Sequence, residues 1–246
     1  NVEWNDLFQN KLNTIAKSEI NTHCQPVFME PKQHTMTYIN QIIKTNKFKT
    51  IVLQGGHEFK TASTSMMDFL ENKKLFYRTL IPNMSLIKQI DTMKEKLEGV
   101  IGVHYRGFIE NYDKADNINF HINSPLDKFI EKMKEYPEEQ KFYLATNNKE
   151  TKEKLKEIFL NRIITLDENE YERNNSKGIN QAVLDFFNLS NCQKILGSYM
   201  SSFSDEAVWK KDIEKEVIYK DSPMTNNSYH CFGFSIVNGI GHINKN

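Results

Sequence analysis

Between residues 98 and 212, short apolar bursts alternate with amphipathic runs. Val100-Ile101-Gly102-Val103-His104 is continuous, apolar and rich in β-branched residues, the pattern of a strand buried on both faces. It follows an amphipathic run over Ser85–Leu97, and Gly99 is the expected helix stop. Over Pro125–Tyr136, Leu126, Phe129, Ile130 and Met133 recur at spacings of three and four, which places them on one helical face. Phe142–Ala145 then predicts a second strand. Lys149–Leu160 predicts a helix with Leu155, Ile158 and Phe159 inward, and Ile163–Leu166 a third strand. Gly178–Leu189 reads as a helix and Lys194–Gly197 as the fourth strand. Ser202-Phe203-Ser204-Asp205 has the Ser-x-x-Asp form of a capping box, opening a helix over Asp205–Lys211.

This alternation implies βαβ units: a mainly parallel sheet with helices on both faces. The expectation is an α/β chain of two Rossmann-like domains facing across a cleft. Residues 1–98 form an N-terminal α/β domain, 99–222 a nucleotide-binding domain and 223–246 a tail. The first of these carries weaker patterns. Met36–Thr45 reads as helical, Lys49–Gln54 as a strand ending in Gly55-Gly56, and Ser65–Leu70 as helical.

Composition removes some function classes. The 246 residues carry 32 basic and 32 acidic side chains, so the whole-chain field has no general pull on nucleic acid or an anionic membrane. Cys24, Cys192 and Cys231 are odd in number and widely spaced, which argues against a disulfide framework or a CxxC metal site and favours a reducing compartment. No apolar run reaches the ~20 residues of a membrane span. A cytoplasmic or membrane-peripheral setting is the expectation, with the secretory lumen open if an anchor was removed.

In open parallel sheets, ligands bind beyond the carboxyl ends of the strands. There the four strands carry His104-Tyr105-Arg106-Gly107, Thr146-Asn147-Asn148, Asp167-Glu168 and Ser198-Tyr199-Met200-Ser201-Ser202. The chain has only four arginines, and Arg106 is the one at a predicted strand end. Its guanidinium offers paired donors to phosphate oxygens, and a serine-bearing helix start adds N–H donors and a favourable dipole. Asn147 and Asn148 can both donate and accept, as a base or ribose requires. Taken singly, each has a bland reading: a surface ion pair for Arg106, a half-buried core residue for His104, a helix cap for the serines and a turn for Asn-Asn. Their convergence favours a nucleotide diphosphate.

Four segments resemble the fucosyltransferase superfamily that includes protein O-fucosyltransferases, α1,2- and α1,6-fucosyltransferases and nodulation fucosyltransferases. Ile101–Gly107 is similar to its His-x-Arg motif, Phe142–Asn148 to its Ala-Thr-Asp-Asp strand end. Gly178–Asp185 and Ile195–Ser204 complete the match, in order and spacing, from about Leu80 to Trp209. A weaker echo lies at Leu53–Lys60. The resemblance implies a GT-B-like fold, GDP-fucose as donor, no metal or other cofactor, and transfer with inversion to a glycan, glycolipid or protein hydroxyl. It implies that Arg106 contacts the β-phosphate, His104 and Asn147 or Asn148 the nucleoside, and Gly107, Ser201, Ser202 and Phe203 the phosphates and their surroundings. The chain departs from the family in two places. Gly107-Phe108-Ile109 stands where an acidic residue commonly follows the arginine, with Glu110 and Asp113 displaced beyond it, and Asn147-Asn148 replaces an Asp pair. Glu110, Asp113 and Glu58 are the candidate general bases. The rival reading is a catalytically degenerate nucleotide-sugar-binding protein.

Overall fold

The computed structural model describes residues 2–11, 65–107, 120–167, 175–199 and 201–221, apart from the side chains of Met66 and Phe120. It also describes the backbone of 26–28, 52–54, 229–231, 234–237 and 240–243. The expected helix at Met36–Thr45 lies outside these residues.

The centre is a five-stranded sheet, parallel throughout, in the order β5-β4-β3-β6-β7. Its strands are β3 (Ile101–Tyr105), β4 (Phe142–Thr146), β5 (Ile163–Ile164), β6 (Lys194–Ser198) and β7 (Glu214–Ile218). The chain starts in the middle at β3, runs outward to β5, and returns to β6 on the other side of β3. Strand order therefore reverses between β3 and β6, and in doubly wound sheets the ligand crevice opens at such a reversal.

Alternation of side chains across the pleat feeds two cores. On one face Ile101, Val103, Phe142, Leu144 and Leu196 meet Phe129, Ile130 and Met133 of one helix (Leu126–Lys134) and Leu155 and Phe159 of another (Lys149–Phe159). On the other, Tyr143, Ala145 and Ile195 meet Leu184, Phe187 and Leu189 of the helix Ser176–Ser190, and Val208 and Trp209 of the helix Ser202–Lys211. In chain order, the helices are α1 (Trp4–Leu7), α2 (Met66–Thr79), α3 (Met84–Lys94), α4 (Phe120–Asn123), α5 (Leu126–Lys134), α6 (Lys149–Phe159), α7 (Ser176–Ser190) and α8 (Ser202–Lys211). Leu70 of α2 and Leu86 and Ile90 of α3 join the α7–α8 cluster, so the segment before Glu98 shares that core. After α3 and a 3-10 turn over Glu95–Leu97, Gly99 adopts φ +70, the left-handed stop expected of it.

The structure differs from the sequence reading at several elements. The helix after β6 begins at Ser202 with Ser201 as its N-cap residue, one position before the expected capping box, and Ser201 makes no side-chain cap bond. The Asp205 carboxylate pairs in the interior with Lys215. The third strand is only two residues long, and β7 was not foreseen. Past residue 222 the chain forms an antiparallel sheet of β8 (Tyr229–Cys231), β9 (Phe234–Val237) and β10 (Ile240–Ile243). Ahead of the main sheet, β1 (Pro26–Phe28) pairs in parallel with β2 (Val52–Gln54), which overlaps the strand expected at Lys49–Gln54.

Candidate nucleotide site

Arg106 and Gly107 follow β3 directly, and Ser201 and Ser202 open α8 just after β6, so the two segments flank the reversal. Ser198, fully buried at the end of β6, ties them together. Its Oγ accepts the Arg106 N–H at 2.9 Å and donates to the His104 carbonyl at 3.3 Å. The Arg106 backbone is thereby fixed to the strand that leads into α8.

His104 is 7% exposed. Its ring lies against Phe203, in the first turn of α8, with centroids 5.0 Å apart, and Phe203 packs in turn on Phe186 of α7. Among the described residues the buried imidazole Nδ1 has no hydrogen-bond partner. Burial first, then the Lys215 ammonium and the Arg106 guanidinium, hold its pKa down to about 3, so the ring is uncharged near neutrality. Ser201 is buried, Ser202 exposed and Phe203 half-buried.

The asparagine pair is committed to the backbone. Asn147 accepts the Gly107 N–H on Oδ1 at 2.8 Å and donates Nδ2 to the Gly107 carbonyl at 3.4 Å, a two-point clamp between the ends of β3 and β4. Asn148 is the N-cap of α6, its Oδ1 accepting the Thr151 N–H at 2.8 Å. The oxygens that the sequence reading assigned to a nucleoside thus satisfy backbone donors. Gly107 is needed for this closeness, since a Cβ there would stand 2.5 Å from the Asn148 Cβ.

Behind the site, α7 contributes a second polar cluster. Tyr143 donates to Asp185 at 2.6 Å and accepts from Asn188 at 3.0 Å. Burial pushes the Asp185 carboxyl up to about 7, against the opposing bonds from Tyr143 and Gln181 and the charge of Lys152. Sequence reasoning did not single out Lys215; it placed Ser198 at the strand end without a role of its own and gave Asp205 only a capping role. A serine ending an apolar strand and a lysine two residues before Val217-Ile218 were the available signals. Glu58, Glu110 and Asp113 lie outside the described residues. Among the described residues, no group of three or more His, Cys, Asp or Glu side chains is placed to hold a metal ion, and no helix is long and apolar enough to cross a membrane.

No protein-family model matches the chain, and no curated protein matches it. Among solved structures it is similar to the fucosyltransferase NodZ from Bradyrhizobium, with 15% identity and a TM-score of 0.48 over 74% of this chain and 59% of that one. It is similar to POFUT1 in complex with GDP at 10% identity and a TM-score of 0.41, covering 66% of this chain and 52% of that one. For FUT1 of Arabidopsis thaliana in complex with GDP the values are 17% and 0.43, covering 63% and 38%. The chain spans less than two thirds of the length of each of these proteins. The α/β assignment rests on the five-stranded parallel sheet itself.

Proposed function

We propose that this chain carries the donor half of a nucleotide-sugar-dependent glycosyltransferase, with GDP-fucose as the donor and transfer proceeding with inversion and without a metal. One observation carries the reading: Arg106 and the opening turn of α8 flank the point between β3 and β6 where strand order reverses, joined through Ser198. A diphosphate in that crevice would meet a guanidinium from one side and the N–H groups of a helix start from the other. The motif resemblance from Ile101 to Ser204 supports the same reading. POFUT1 has been crystallised with GDP and with GDP-fucose, which makes these the first ligands to try.

In this mechanism an acceptor hydroxyl attacks the anomeric carbon as the bond to the diphosphate breaks. Negative charge grows on the departing phosphate, and Arg106 with the α8 N–H groups stabilises it. A carboxylate removes the hydroxyl proton; Glu110, Asp113 and Glu58 are the candidates. The acceptor is a glycan, glycolipid or protein hydroxyl, and the acceptor side of a GT-B-like cleft is formed with the N-terminal half. The division at Glu98, the donor contacts of Gly107, Asn147, Asn148, Ser201, Ser202 and Phe203, and a cytoplasmic or membrane-peripheral setting belong to the same proposal.

Radiolabelled GDP-fucose, with release of fucose and transfer to glycan acceptors followed together, tests it. The Arg106→Ala protein is expected to lose about 3 kcal/mol of transition-state stabilisation, roughly a hundredfold or more in rate. Near-wild-type turnover in that variant overturns the role. GDP-fucose binding by the native chain without transfer or hydrolysis supports the rival, a binding protein whose chemistry has lapsed.

A further inference from the structure

On the α7–α8 face of the sheet, close to the end of β3, lies an ion pair that the proposed reaction does not use. Lys215 of β7 and Asp205 of α8 are 3% and 4% exposed and bonded to each other. Removing two charges from water costs more than their attraction usually returns, and an apolar pair of the same volume is often at least as stable. Fold stability alone therefore gives little reason for the pair.

Its surroundings give a better one. A Cβ at Gly197 would lie 2.8 Å from Lys215 Cε and 2.7 Å from Ser204 Oγ, so the absent side chain is the slot through which the lysine stem crosses β6. Gly197 is the register partner of His104 on β3. The ammonium thus approaches His104 through a gap left by glycine, while its partner Asp205 sits on the first turns of α8. His104 completes the cluster, packed on Phe203 of that helix with its Nδ1 buried and, among the described residues, without a hydrogen-bond partner. The charged groups that act on the imidazole are Lys215 from β7 and Arg106 beyond the end of β3, with Asp205 of α8 bonded to Lys215. Its neighbours in register on β4 and β6 are Ala145 and Gly197. The carboxyl that α7 brings to this face, Asp185, is bonded to Tyr143 on β4.

We propose that the Lys215–Asp205 pair is a positioning element of the anion site, acting through His104 and the opening turn of α8 and never on the ligand itself. The inference rests on the diphosphate reading above. The pair anchors α8 to β7, which sets the direction of the helix-start N–H groups. Its lysine cancels a carboxylate that would otherwise stand directly behind the bound phosphates and oppose them. The same lysine disfavours a proton on His104, leaving a neutral ring packed on Phe203 in the first turn of α8.

The test uses the full chain, with Lys215→Met and the double variant Lys215→Met/Asp205→Leu. The titration of His104 is read by NMR on ring-labelled histidine without ligand, and GDP binding by calorimetry from pH 5.5 to 8. In Lys215→Met the His104 titration should rise by about one pH unit or more. GDP affinity should fall by about ten- to a hundredfold, the range seen when support behind metal-ligating groups is lost. The double variant should regain most of that affinity, having no buried carboxylate, yet keep the raised titration. If the single variant does not fold, the double variant decides, because its His104 titration must still move. An unmoved titration with unchanged GDP affinity overturns the inference and leaves the diphosphate reading standing. Failure of the native chain to bind GDP overturns both.

Discussion

Replacing Asp185 with Asn should uncover a pH dependence of stability that the native chain conceals. Two buried groups titrate in opposite senses on folding. The Asp185 carboxyl is held up to about 7, whereas a carboxyl of this kind in an unfolded chain titrates near ~3.9. The His104 imidazole is held down to about 3, against ~6.5 when unfolded. A raised carboxyl contributes stability that is present below its unfolded value and is lost as pH rises through 7. A depressed imidazole contributes stability that is present above its unfolded value and is lost as pH falls toward 3. Between pH 7 and pH 4 each amounts to roughly 3 kcal/mol, with opposite sign, at about 1.4 kcal/mol per pH unit of differential protonation. They nearly cancel. Asn keeps an acceptor oxygen for the Tyr143 hydroxyl but does not titrate, so Asp185→Asn removes one arm alone. Urea denaturation at intervals from pH 4 to pH 7 should then show the variant losing roughly 3 kcal/mol relative to wild type on acidification. A difference between the two proteins that stays constant to within about 0.5 kcal/mol over that range refutes the reasoning.

Two further substitutions test the local geometry. Gly107→Ala should cost about 1–3 kcal/mol in denaturant titrations, because its Cβ would meet that of Asn148, which is fixed to the backbone at the start of α6; it should also weaken GDP binding by disturbing the Asn147 clamp. Asn148→Ala should cost about 1 kcal/mol through the lost cap, and Asn148→Asp should restore it in thermal melts.

The pattern of apolar positions located β3, β4, β6 and the helices α5, α6 and α7, though not the short α4, since strands buried on both faces leave continuous apolar runs and α5 and α6 leave apolar stripes at helical spacing. It also brought Arg106 and Ser201 to neighbouring strand ends. It missed β7 because Glu214-Lys215-Glu216 reads as a solvated charge run. In the fold Lys215 is neutralised by Asp205, and Glu216, mostly buried, bridges Lys132 and Lys194. Reading charge as exposure fails where charges are paired across elements. The helix cap lies one residue earlier than the Ser-x-x-Asp pattern places it, and the pairing of Asp205 with Lys215 is not visible in local spacing. Asn147 and Asn148 show a different limit: their residue type suits a nucleoside and a turn equally well, and only coordinates reveal the backbone groups they satisfy. The amphipathic run of α3 and the start of α2 were legible, but not that these helices join the core of α7 and α8.

The most direct test of the account is a calorimetric comparison of GDP with GMP on the native chain and on Arg106→Ala. If Arg106 clamps the terminal phosphate, GDP binds the native chain more tightly than GMP by about tenfold or more, and the substitution erases that preference while GMP binding stays near its original value. Equal affinity of the native chain for the two nucleotides, or a GDP preference that survives the loss of the guanidinium, contradicts it.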